Sequence, residues 1–100
     1  MNVTAERLLA FAASHENEEW ETRDRHKRFR LKTTPEGFEF TPGSSGIPRR
    51  VRKRECAALC ERFDTSGSRR PKDYLDLSRN SSYVLAIIAG YLSGEKPRSG

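Results

Sequence analysis

Three rows of cationic side chains dominate the chemistry this chain can offer. After Pro48, "RRVRKR" sets Arg49, Arg50, Arg52, Lys53 and Arg54 within six residues, with no anion before Glu55. Upstream, Arg28, Arg30 and Lys32 alternate with Phe29 and Leu31, and downstream "SRRPK" carries Arg69, Arg70 and Lys72. A guanidinium fork matches pairs of phosphate or carboxylate oxygens, and an ammonium acts as a point charge. The chemistry on offer is recognition of an anion rather than bond making. The expected partner is nucleic acid, contacted at its phosphates through Arg28, Arg30, Lys32, Arg49, Arg50, Arg52, Lys53, Arg69 and Arg70. The alternative is an acidic protein, or the acidic stretch Glu16–Glu21 of a sister chain, met by an assembly subunit. Arg79 and Asn80, just ahead of the last apolar segment, can meet a phosphate, but a helix-capping role for Asn80 or Ser81 accounts for them more simply.

The charge is blocky. Residues 1–22 carry one cation against five anions, residues 23–32 carry six cations against Asp24, and residues 49–54 carry five cations alone. Summed potentials of this kind attract polyanions and do not dictate a fold. They carry affinity and salt dependence without sequence information.

Other chemistry finds little support. The P-loop pattern, HExxH and GxSxG are all absent. His26 sits among cations in "RDRHKR", which oppose its charged form, and Asp73 and Asp76 read as structural partners of Lys72 and Arg79. The expectation is a non-enzymatic protein without cofactor. Cys56 and Cys60 are spaced one helical turn apart and read as core thiols rather than metal ligands, because zinc sites favour tighter pairs and need further ligands. In "EGFEF", Gly37, Phe38 and Phe40 match part of the RNA-recognition-motif signature, but Glu36 and Gly43 break it. These residues read instead as a turn glycine leading a half-buried strand.

The elements that must position these groups follow from periodicity. Thr4 is a suitable N-cap, and Leu8, Phe11, Ala12 and His15 have helical spacing, predicting a helix from Thr4 to Glu21 whose end Trp20 anchors. "RFRLKTTPEGFEF" (28–40) predicts a β-hairpin, with Pro35 and Gly37 making the turn and three cations lining its polar face. Pro48 suits the first turn of a second helix. The cations from Arg49 onward would then crowd the positive end of the helix dipole, at a cost of ~0.3–1 kcal/mol each at low salt. An external polyanion would reverse the sign of that effect. Pro71 predicts a short helical turn, and a helix-turn-helix built on it and the preceding helix is a variant of the same reading.

A last helix, from Asn80 or Ser81 to about Gly94, is apolar all round and uncharged from Ser81 to Leu92. Such a helix sits either at the centre of a fold or in an oligomer interface. Its run "YVLAIIAGYL" (83–92) is half the ~20 residues that a membrane span requires. Glu6 and Arg7 come early, and the apolar run Leu8–Ala13 is too short for a signal peptide, so a cytoplasmic location is expected. The overall prediction is one α+β domain over residues 1–94, in the order α-β-β-α-α, with a hairpin packed by helices around a central C-terminal helix. Residues 95–100 form a polar tail. A homodimer through residues 83–92 or through the hairpin edge is expected.

Overall fold

The Thr4 hydroxyl accepts the Arg7 amide at 3.2 Å and opens helix α1 (Ala5–Ala13), which buries Leu8 and Ala12. The computed structural model describes residues 3–16, 18–22 and 26–93; the expected tail, 95–100, lies outside them. Helix α1 is shorter than its periodicity suggests, because the acidic stretch after it is claimed by tertiary partners. Glu16 accepts from both the amide and the hydroxyl of Thr33, and His15 Nδ1 meets Glu18 at 2.9 Å. Glu19–Glu21 then form strand β1. Trp20 is fully buried there, so it anchors a strand and not a helix end.

The hairpin forms as expected, from β2 (Arg28–Thr34) and β3 (Gly37–Pro42). Two further strands flank it. Beside β1 on one side, β4 (Arg49–Arg52) pairs with β3 on the other, giving an antiparallel sheet in the order β1-β2-β3-β4. The stretch after Pro48 is therefore a strand rather than the start of a helix. Pairing of Val51 with Phe38 places Val51 in the core and decides the matter. Helix α2 begins only at Lys53 (Lys53–Ser66) and ends at Gly67, whose φ of 67° is the left-handed C-cap. A one-turn 3-10 helix (Pro71–Tyr74) and helix α3 (Ser81–Ser93) complete the order α-β-β-β-β-α-α. One turn after Pro71 is too short for a recognition helix, which removes the helix-turn-helix variant.

One face of the sheet builds the core with the helices. Trp20, Phe29, Leu31, Phe38, Phe40 and Val51 are each buried, and Leu8, Leu59, Val84 and Ile87 join them from the helices. Fully burying a side chain of this size is worth ~1.5–3 kcal/mol. Phe38 and Phe40 stack at 5.3 Å inside this layer, so neither is available to stack on an RNA base. The apolar circumference of α3 is satisfied within one chain: residues 84–90 are buried, Tyr83 stacks on Phe40 at 5.4 Å, and Tyr91 meets Phe11 edge-on at 5.6 Å. β1 pairs with Arg28, Phe29 and Arg30 of β2, and β4 with residues 37–40 of β3. With α3 largely covered within one chain and the hairpin flanked on both sides, neither surface points to the expected homodimer. Among the described residues, no helix is long and apolar enough to cross a membrane.

Candidate functional site

Side chains alternate across a strand, so the cation rows do not stay together. Arg28, Arg30 and Lys32 point away from Phe29 and Leu31 onto the open face of the sheet, and Arg50 and Arg52 join them from β4. Glutamates interleave with them. Glu19 lies opposite Arg30, Glu21 opposite Arg28, and Glu39 between Lys32 and Arg50. Arg28 pairs with Glu19 at 3.6 Å, both exposed, and Arg50, exposed, with the half-buried Glu39 at 3.9 Å. Lys53 is exposed at the start of α2. This open face is partly self-neutralised.

The helix-start argument is corrected here as well. Only Lys53 and Arg54 fall within the first turn of α2, Glu55 offsets them, and the Lys53 amide donates to the Glu36 carbonyl at 2.7 Å. The hairpin turn already occupies that end of the helix, so no external anion is needed to relieve it.

A different concentration of charge arises where the end of the sheet meets α3. A groove of about 550 Å³ is lined by Lys27, Arg49, Arg69, Arg70, Lys72 and Arg79, and no carboxylate is among its described lining residues. All six cations are exposed. None takes part in the ion pairs found among the described residues. Three of the nine expected residues, Arg49, Arg69 and Arg70, meet here. Lys27, Lys72 and Arg79 belong with them, although none of the three is among the nine expected contacts. Lys72 sits inside the "SRRPK" row and Arg79 directly precedes α3, so a signal was present for both.

The groove is held from behind. Tyr74 is fully buried and donates its hydroxyl to the Ser68 carbonyl at 2.5 Å, and Ser68 Oγ donates to the Asp73 carboxylate at 2.5 Å. The Arg62 guanidinium reaches from α2 to the Asp73 carbonyl at 3.0 Å and the Asp76 carboxylate at 2.5 Å. That hydrogen bond holds the Asp76 carboxyl below its ordinary range and raises the arginine. Asp73 and Asp76 therefore face Ser68 and Arg62 rather than Lys72 and Arg79, which leaves those two cations uncompensated. On the opposite wall, Thr22 is buried and clamps Lys27: its Oγ1 accepts the Lys27 amide at 3.0 Å, and its own amide donates to the Lys27 carbonyl at 2.9 Å.

The end of α3 opens into the same groove through Asn80, Ser81 and Ser82. Neither expected capping side chain caps it. Ser81 Oγ donates to the Pro71 carbonyl at 3.0 Å, and Asn80 Oδ1 is buried without a hydrogen-bond partner. The positive end of the helix dipole thus adds to the six cations. Concentrating one sign of charge in a concavity focuses its field on an incoming anion.

Elsewhere the chemistry is sparse. Cys56 and Cys60 are free and buried one turn apart on α2, and the hydrogen bond with Cys60, reinforced by burial, pushes the Cys56 thiol up. Among the described residues, no three His, Cys, Asp or Glu side chains gather to hold a metal ion. Compared with models of known protein families, with curated proteins and with solved structures, the chain matches none of them, so the reading of its site rests on its own geometry.

Proposed function

We propose that this protein is a small non-catalytic nucleic-acid-binding module whose phosphate contacts are made in the groove at the start of α3. The observation that carries this reading is the set of six exposed cations, unpaired with any described carboxylate, around one concavity. Phosphate oxygens placed there meet guanidinium forks, ammonium groups and the free end of a helix together. The open sheet face, with its interleaved glutamates, contributes long-range attraction and few tight contacts. That interleaving is what favours the second reading, an acidic protein docked on the open face. The sister-chain version of it has no support, because Glu16, Glu18, Glu19 and Glu21 each have partners within their own chain.

Two triple variants test the assignment by retention on immobilised DNA and heparin as salt rises. Arg49→Ser, Arg69→Ser and Arg70→Ser together should bring elution to low salt. Arg28→Ser, Arg30→Ser and Lys32→Ser together should move it much less. If the sheet variant loses retention and the groove variant keeps it, the groove is not the nucleic-acid site.

A further inference from the structure

We infer that the groove takes a single strand, with a splayed base against its apolar wall, in preference to a duplex. This rests on the nucleic-acid reading above and adds the form of nucleic acid. Two observations independent of the charge carry it.

The first is shape. The cations line a concavity of about 550 Å³, within the ~300–1,000 Å³ typical of sites that enclose a compact ligand. That is room for one or two nucleotides. Duplex DNA is read the other way round, by a convex helix or ribbon entering its major groove, ~12 Å wide. Among the described residues no such element projects from this side, since the 3-10 helix is a single turn and α3 meets the groove only with its first residues.

The second is the wall. Leu75 lines the groove at 55% exposed, one of two large apolar side chains left so open among the described residues. Pro71 and the half-buried ring of Tyr83 lie on the same groove. Tyr83 is fixed from behind by stacking on Phe40 and by an edge contact with Phe29 at 4.9 Å. Apolar surface among six cations suits a ligand that is anionic along one side and apolar along the other. A duplex keeps its bases stacked inside, whereas a single strand presents them for stacking. The adjoining crevice under Leu85 and Ala89 holds only about 20 Å³, room for a water and not for a base, so the base stays on the outer wall.

The test is fluorescence anisotropy at fixed salt with a short labelled oligothymidylate, a DNA hairpin duplex and inorganic polyphosphate as separate probes. The proteins are the wild type, Leu75→Ala and the groove triple variant, each checked for folding by circular dichroism. The wild type should bind the single strand at least about tenfold tighter than either other probe. Leu75→Ala should weaken single-strand binding by about fivefold, through lost apolar contact with a base, and leave duplex and polyphosphate unchanged. Duplex or polyphosphate binding as tight as the single strand, lost in the triple variant, overturns the single-strand inference while the anion groove stands. Equal binding of the oligonucleotide by wild type and triple variant overturns the functional reading and the inference together.

Discussion

Replacing Gly37 with alanine should be the most damaging small substitution in the sheet. Gly37 opens β3 at φ 150°, and a Cβ built there lies 2.1 Å from the Val51 carbonyl oxygen and 3.0 Å from the Lys53 nitrogen. Both obstacles are backbone atoms at the junction of β4 and α2, so no side chain can rotate away. Two terms add. The backbone conformation itself costs an alanine of order 1–3 kcal/mol. Overlap in a packed region costs about 1–3 kcal/mol more, and the total is about 2–6 kcal/mol, toward the upper end because the overlap is with rigid backbone. Set against ~5–15 kcal/mol for a domain of this size, that is a large share. Thermal unfolding followed by circular dichroism should show Tm lowered by roughly 8–48 °C. Gly46→Ala and Gly67→Ala isolate the first term. Their φ angles are 68° and 67°, and nothing lies within 4 Å of a new Cβ. Each should cost only about 1–2 kcal/mol. If Gly37→Ala matches them within about 1 kcal/mol, the close approach of β3 to the β4–α2 junction is wrong.

Asp76→Asn should destabilise the protein at neutral pH and loosen the loop that presents Arg69, Arg70 and Lys72. The folded carboxyl is held below its ordinary value, so its contribution is present above the ordinary carboxylate range and is lost as pH falls through and below it. The gap between the urea midpoints of wild type and variant should narrow progressively as pH falls below about 4; a gap that stays constant as the solution is acidified refutes the Arg62–Asp76 account. Cys56 and Cys60 should ignore a thiol reagent in the folded protein and react together on unfolding, since both are buried, as absorbance with Ellman's reagent will report. On a single strand, the slope of log K against log salt should be about −1.4 if the groove cations contact the roughly two phosphates it can hold. It should be about −0.7 or shallower in the groove triple variant.

The hairpin and α3 were legible because each is locally consistent. Alternation of Phe29 and Leu31 with Arg28, Arg30 and Lys32 admits one strand register, and an uncharged run from Ser81 to Leu92 admits only a covered helix. Strands β1 and β4 were not legible. Each has one apolar residue, Trp20 or Val51, too few to display a period, and each is stabilised by its partner strand rather than by its own sequence. Missing β4 carried a consequence for the site. A strand sends Arg49 to one face and Arg50 and Arg52 to the other, whereas a helix start would have kept all three near one anion. The groove draws on residues 22 and 27, 49, 69–72, 75 and 79–83, and no linear window contains that arrangement. What the linear reading did locate was the charge itself.

Tyr83 belongs to the interior and to the groove at once: one side of its ring lies on Phe40 and another borders the cations. Scaffold and recognition surface therefore share a side chain. Any substitution that tilts Phe40 reshapes the contact surface, and whatever occupies the groove steadies the middle of the sheet. Bound and free protein should accordingly differ in amide exchange along β3, at positions no ligand touches.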